Sequence, residues 1–184
     1  MIQRIIALIL LLFLQPIFLI VSLLIIINDG FPIIYVQRNY GKNHKKFNLY
    51  KFRTMRKETP EVPTEEFGDA ERYLLKIGKI FRKFSIDELP QLLNIIKGEM
   101  SFIGPRPSMV NNEEVVKNLR EERGVHKLSP GITGWAQVNG RDLNSFEEKV
   151  ELDYYYLLNK SFWLDLKIIF MTFRVLLLTR LVKH

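Results

Sequence analysis

The sequence predicts an α+β fold, mainly helical, in which an N-terminal re-entrant membrane helix precedes a small β-hairpin and interfacial amphipathic helices. Three observations carry this: an almost wholly apolar run near the start, a pair of alternating segments joined through a glycine turn, and a C-terminal stretch whose apolar residues are spaced by cations. The 184 residues suffice for one core and an appended element. The expected division is residues 1–28 as the membrane helix and residues 29–184 as a cytoplasmic domain ending in the interfacial helix.

Ile5 to Ile27 is interrupted only by Gln15, Pro16 and Ser22. As a helix its 23 residues reach about 34 Å at ~1.5 Å per residue, enough to cross a hydrocarbon core of ~30 Å. A cleaved signal peptide fits less well, because the run is too long and no small-x-small pattern follows it. Pro16 lies at the midpoint, with eleven residues of the run on each side. It removes one helical hydrogen bond and clashes with the preceding turn, so the helix is expected to break there, with the Gln15 amide satisfying the freed backbone groups. Each half is then about one leaflet deep. A kinked span and a re-entrant hairpin fit this arithmetic equally, and the fold class above adopts the hairpin.

The next segments, Ile33–Val36 and Phe47–Met55, alternate as strands and are joined through Asn39-Tyr40-Gly41-Lys42-Asn43, which predicts a hairpin. Thr59–Glu66, with two prolines and several glutamates, reads as a loop, and Asp69–Phe84 as a helix. In Phe162–Leu181, Asp165, Lys167, Arg174 and Arg180 interrupt the apolar residues, so no charge-free stretch is long enough to span. That pattern suits a helix lying in the headgroup plane with its cations towards anionic lipid; the competing expectation is an ordinary core helix.

The absence of cysteine excludes disulfides, cysteine nucleophiles and thiolate metal sites. The 27 Lys and Arg against 20 Asp and Glu give a net charge of +7, which points to an anionic partner: nucleic acid, phospholipid headgroups or a phosphorylated substrate. Side chains that could serve a phosphate gather in four places. Lys51 and Arg53, two apart in a strand, should share a face. Arg106 is held between Pro105 and Pro107, where a guanidinium in a stiff loop can grip phosphate with two bonds. Asp87 and Glu88 follow a basic stretch, Lys76, Lys79, Arg82 and Lys83, although Ser85 and Glu88 also have capping-box spacing. Ser129 to Arg141 brings three glycines, an Asn-Gly turn, Trp135 and Arg141 together in a loop able to cradle a nucleotide, without matching a phosphate-loop or dinucleotide fingerprint.

In this order, after one apolar helix, Lys51-Phe52-Arg53-Thr54-Met55, Asp87-Glu88-Leu89-Pro90-Gln91, Met100-Ser101-Phe102-Ile103-Gly104-Pro105-Arg106-Pro107 and Pro130-Gly131-Ile132-Thr133-Gly134-Trp135 resemble the bacterial sugar transferase family, in particular its small monotopic phosphoglycosyl transferases of PglC type. The resemblance covers nearly the whole chain. It departs at the membrane break, where the family commonly has Ser-Pro and this chain has Gln15-Pro16. It implies transfer of a sugar-1-phosphate from a UDP-sugar to polyprenyl (undecaprenyl) phosphate at the cytoplasmic face of the bacterial inner membrane, with Mg²⁺ and release of UMP. The sugar is then expected to be N-acetylated, with UDP-di-N-acetylbacillosamine as the example, in glycoconjugate or N-linked glycan assembly. Asp87 becomes the nucleophile of a covalent aspartyl phosphosugar. Glu88 becomes the metal ligand and a base for the lipid phosphate. Lys51, Arg53 and Arg106 neutralise phosphate, and Trp135 and Arg141 contact the nucleotide. On this reading the partners are a UDP-sugar, polyprenyl phosphate and a phospholipid membrane, with no nucleic acid. A membrane-anchored nucleic-acid-binding module and a structural membrane scaffold are the alternatives from other classes.

Overall fold

A computed structural model of the chain describes residues 1–59, 70–110, 114–140 and 145–178. Two helices, α1 (Ile2–Phe13) and α2 (Gln15–Asp29), open the chain and are bent by 61° where they meet. Two strands follow, β1 (Ile34–Tyr40) and β2 (Lys46–Phe52), then α3 (Lys76–Lys83) and α4 (Gln91–Lys97). Strands β3 (Ser101–Ile103) and β4 (Ser108–Met109) precede α5 (Glu114–Glu122), β5 (Gly131–Thr133) and α6 (Trp135–Val138). Two longer helices, α7 (Phe146–Asn159) and α8 (Phe162–Leu178), complete the described chain. The fold is α+β and mostly helical.

The expected hairpin is present. β1 and β2 pair antiparallel from Ile34 opposite Phe52 to Tyr40 opposite Lys46, and β4 joins the other edge of β1. A separate parallel pair, β3 with β5, joins the segment before Gly104 to the one after Pro130. Asp69–Phe84 is not one helix. A short 3₁₀ turn at Ala70–Tyr73 precedes α3, and Leu75, between them, is extended. The Thr59–Glu66 loop lies outside the described residues from Pro60 onward.

Pro16 breaks the apolar run, but the break lies two residues upstream, at Leu14. Proline fits the first turn of a helix, where its missing N–H has no partner to lose, so the interruption is displaced to the residue before that turn. The expected Gln15 cap is not seen: Leu14 N–H bonds Leu10 O and Phe18 N–H bonds Leu14 O across the junction, while Gln15 is exposed. Among the described residues no single helix is long and apolar enough to cross a membrane, and the bent pair passes only jointly.

Both legs of the bend rest on the domain. Ala7 of α1 is buried with Phe47 and Leu49 of β2, Leu92 and Ile95 of α4, and Met100. Val21 and Ile25 of α2 are buried with Phe52 and Phe81. Their opposite faces carry exposed apolar side chains, among them Ile9, Phe13, Leu19, Ile20 and Ile27. A third cluster, Ile103, Tyr156 and Ile168, joins β3 to α7 and α8. α8 buries Ile168 there, and Asp165 accepts a hydrogen bond from Tyr156 at 2.7 Å, while Phe162, Trp163, Phe170 and Phe173 stay exposed. It is thus partly a core helix and partly an unpartnered apolar face.

Candidate active site

The site grows from the way β2 meets α4. Phe47 and Leu49 alternate inward against α4, and Lys51 continues the same face to the turn that precedes that helix. Asn94 locks the junction. Fully buried, it accepts a hydrogen bond from Tyr50 N–H at 3.2 Å and donates to Asn48 O and to Glu99 Oε2, each at 2.7 Å. A buried amide with both ends satisfied fixes the spacing of the elements it joins.

Asp87 and Glu88 lie on a single 3₁₀ turn, Ile86–Glu88, ahead of α4. The capping-box expectation for Ser85 fails there. Ser85 takes a left-handed conformation, φ 54° and ψ 25°, and its side chain caps nothing. The chain's capping box is at Ser145 and Glu148, which bond each other's backbone at the start of α7. The Asp87-Glu88 turn therefore owes its shape to its neighbours.

Those neighbours are cations. Arg106 Nη1 donates to Glu88 Oε1 at 3.2 Å; the Glu88 side chain is 9% exposed and that of Arg106 is 45% exposed, so one end of the pair remains open. Burial pushes the Asp87 carboxyl above its ordinary range and the charge of Glu88 adds to this, while Lys51 and Arg82 pull it back. Burial lowers the Lys51 ammonium, as does nearby Arg106, and Glu88 and Asp87 oppose the shift. Among the described residues no ion pair engages Asp87 directly, so its carboxylate is flanked by positive charge without being tied to it.

Lys51, Asp87, Glu88 and Arg106 thus come together as the motifs predict. Arg53 does not join them. β2 ends at Phe52, and the buried Arg53 guanidinium turns to Asp29 Oδ2, Asp29 O and Gly30 O, with its Nε on Pro32 O. Strand alternation fails one residue beyond the strand, and Arg53 pins the end of α2 to the sheet. Trp135 is also elsewhere: its ring stacks on Tyr155 at 5.5 Å, lies under Lys167 at 5.2 Å, and packs with the α7 and α8 core. The glycines around it serve close backbone packing. A Cβ on Gly131 or Gly134 would come within 2.2 Å of Gly104 backbone atoms, so they let β5 press on the Gly104-Pro105 segment that carries Arg106. Arg141 lies outside the described residues. Gln15 and Pro16 belong to the helix break.

Sequence reasoning missed Arg82 as part of the cluster, treating it as one cation of a basic stretch. Its Nε donates to Thr54 Oγ1 at 2.9 Å and its charge acts on Asp87. Among the described residues three cations around two acids leave surplus positive charge, the condition for accepting an anionic group beside a carboxylate. Two neighbouring carboxylates also fit a hard divalent cation that takes one or two protein oxygens and completes its shell with substrate phosphates. Among the described residues no group of three or more acid or histidine side chains forms a full protein cage.

A sequence profile of bacterial sugar transferases matches residues 1–179. An uncharacterized sugar transferase, EpsL, of Bacillus subtilis (strain 168) is 46% identical over 150 residues, covering 82% of this chain and 72% of its own length. The UDP-glucose:undecaprenyl-phosphate glucose-1-phosphate transferase of Escherichia coli (strain K12) is 37% identical, covering 91% of this chain and 38% of its own. A UDP-N-acetylgalactosamine-undecaprenyl-phosphate N-acetylgalactosaminephosphotransferase of Aeromonas hydrophila is 36% identical, covering 89% and 40%. The chain therefore spans less than half the length of the latter two, and what they share with it is the segment that holds the cluster. With that match over nearly its whole length, the chain belongs to the bacterial sugar transferase family of enzymes.

Proposed function

We propose that this phosphoglycosyl transferase moves a sugar-1-phosphate from a UDP-sugar to undecaprenyl phosphate through a covalent intermediate on Asp87. The observation that carries the reading is the placement of Asp87: a half-buried carboxylate among Lys51, Arg82 and the Glu88–Arg106 pair, close to positive charge and bonded to none of it. An acid partly withdrawn from water beside cations ordinarily forms a salt bridge, and this one is kept out of it.

In the first step a carboxylate oxygen of Asp87 attacks the phosphorus that bears the sugar. A P–O bond to Asp87 forms, the phosphoanhydride bond breaks, and its electron pair leaves with UMP. In the second step an oxygen of the lipid phosphate attacks the same phosphorus and the bond to Asp87 breaks, restoring the carboxylate. An anion attacking an anion is strongly disfavoured until the oxygens are neutralised. Lys51, Arg82 and the exposed end of Arg106 serve that purpose. Glu88 would hold Mg²⁺, which would supply charge neutralisation there, and it takes a proton from the lipid phosphate when that arrives protonated.

The exposed apolar faces of α1, α2 and α8 support a bilayer-seated enzyme, with the bent helix re-entrant and Phe162 and Trp163 at headgroup level. Such seating sets the site where a lipid phosphate already lies, which saves encounter entropy. The catalytic face is cytoplasmic, where UDP-sugars are made. On the donor, the relatives' printed names include glucose and N-acetylgalactosamine, and the PglC-type resemblance favours an N-acetylated sugar, with UDP-di-N-acetylbacillosamine in the panel.

The test is UMP release from a panel of UDP-sugars, with and without undecaprenyl phosphate, together with intact-protein mass spectrometry. The expected result is about one UMP per site without lipid, a phosphosugar adduct abolished by Asp87→Asn, ping-pong kinetics with lipid, and Mg²⁺ dependence weakened by Glu88→Gln. Turnover only when both substrates are present, with no adduct and with activity in Asp87→Asn, would replace this with direct attack in a ternary complex. Salt-sensitive nucleic-acid binding with no UMP from any donor would favour the binding-module reading.

A further inference from the structure

We infer that Thr54 is a positioning residue that aims Arg82 at the phosphate beside Asp87, with Gly78 making room for it; the catalytic part of this rests on the function proposed above.

The argument begins with α3. Its residues Gly78 and Arg82 are four apart and share a face, and a helical side chain leans back towards the N-terminus, so Arg82 lies over Gly78. That face presses on the chain just after β2. A Cβ on Gly78 would lie 2.3 Å from Thr54 O, an overlap that only glycine avoids. Thr54 O accepts the backbone N–H of Leu75 at 2.9 Å, and a bridge between Met55 and Leu74 with a bond from Arg56 N–H to Tyr73 O extends the contact. The entry to α3 is therefore fastened to residues 54–56 before its side chains are considered.

Thr54 then acts twice. Its carbonyl holds the start of α3 at Leu75, and its buried hydroxyl accepts the Nε–H of Arg82 at 2.9 Å about two turns later. A guanidinium carries five N–H donors in a rigid plane, so fixing Nε fixes the direction of both Nη groups. Among the described residues no side chain takes up those Nη groups, and the charge of Arg82 is felt at Asp87. A long flexible cation is turned into an oriented one. Without the hydroxyl, Arg82 would keep its charge and its place on the helix but lose its angle, and misplacement of that kind is expensive in phosphoryl transfer.

The test compares Thr54→Val, which keeps shape and removes the hydroxyl, with Thr54→Ser, which keeps the hydroxyl, and reads two quantities. The first needs no substrate: solvent exchange of the Arg82 Nε–H by NMR. It should be slow in the native protein and in Thr54→Ser, and at least ~10-fold faster in Thr54→Val, since a side-chain hydrogen bond protects it. The second is kcat/KM for the UDP-sugar, which should fall roughly 10–100-fold in Thr54→Val and recover to within a few-fold in Thr54→Ser, with the melting temperatures of both close to native. Rapid Nε–H exchange in the native protein would overturn the anchor outright. Protected exchange in the native protein with native kcat/KM in Thr54→Val would overturn the positioning role. If the native protein released no UMP, the exchange experiment would still decide the anchor while the proposed reaction failed on its own.

Discussion

Asp87 and Asp153 are both acids whose carboxyls burial pushes above their ordinary range, and the molecule treats them in opposite ways. Asp153, on α7, accepts a hydrogen bond from Arg120 Nη2 at 2.9 Å, with the Asp153 side chain buried and that of Arg120 largely so, and this pair ties α5 to α7. Around it Arg123 pairs with Glu151 and His44 with Glu121, and burial together with Lys117, Arg120 and the stacked His126 keeps the His44 imidazole low. There Arg120 and Arg123 each meet a carboxylate. Around Asp87, among the described residues, three cations face two acids and only Glu88 and Arg106 touch. Desolvation alone therefore does not mark a functional acid. The mark is desolvation without an ion-pair partner, which leaves a carboxylate costly to keep and free to react.

The largest effect expected from this contrast is Asp87→Asn, which should lower turnover by at least ~10³-fold and remove the adduct. It should not destabilise the protein. A carboxyl raised on folding adds stability while it is protonated, below its ordinary range, and that contribution is lost as pH rises through the raised value. At neutral pH ionised Asp87 opposes folding, so the amide should melt at the same temperature or higher. A fall in melting temperature with most turnover intact would make Asp87 a second Asp153.

Arg120→Ala should give the opposite signature. It strands a buried carboxylate and should lower stability by about 3–5 kcal/mol in denaturant titration, while the folded fraction keeps kcat/KM within a few-fold of native. Lys51 and Arg53 repeat the contrast within one segment. Lys51→Met should lower kcat/KM by ~10²-fold with little loss of stability, whereas Arg53→Met should lower stability by roughly 3 kcal/mol through the loss of Asp29 and the carbonyls of residues 29, 30 and 32. Equal kinetic losses in the two would restore Arg53 to the phosphate site. The smallest effect is on pH. The acid limb of kcat/KM should titrate above the ordinary carboxylate range, and Glu88→Gln should shift it down, since Glu88 is the charge that raises Asp87. A limb at the ordinary position, unmoved in Glu88→Gln, would mean that Asp87 is not the group it reports.

The legible parts of the fold and site were those set by local rules. Pro16 announced a break, the Gly41 turn announced the hairpin, and the Pro105-Arg106-Pro107 run announced a rigid cation; each depends on backbone restrictions within a few residues. Errors came where tertiary contacts prevailed. Arg53 follows strand alternation on paper, yet the strand ends before it and Asp29, 24 positions away, supplies a better partner. Ser85 has capping spacing, but the turn after it is too short to be a capped helix, and α4 begins at Gln91. The glycines around Trp135 answer to Gly104 backbone across the parallel pair, a contact that no local rule signals. Arg82 was hidden for a related reason: its partner Thr54 lies 28 residues upstream, and no spacing rule links a helix to the end of a strand.

The docking of α1 and α2 has a consequence for how the chain is made. Phe47, Leu49, Leu92 and Ile95 cover Ala7, and Phe52 and Phe81 cover Val21 and Ile25, so all of these partners are translated after the helices they bury. At roughly 5–20 residues per second, α4 emerges about 4–16 s after α1. For that interval two apolar helices have neither their core nor its shelter, and something other than the domain must hold them. On the bilayer-seated reading proposed above, insertion precedes folding, and the anchor becomes a wall of the domain only when β2 and α4 arrive. For the same reason it is not an exchangeable cassette: a foreign anchor of equal length and hydrophobicity would reach the bilayer and still leave Phe47 and Phe81 bare.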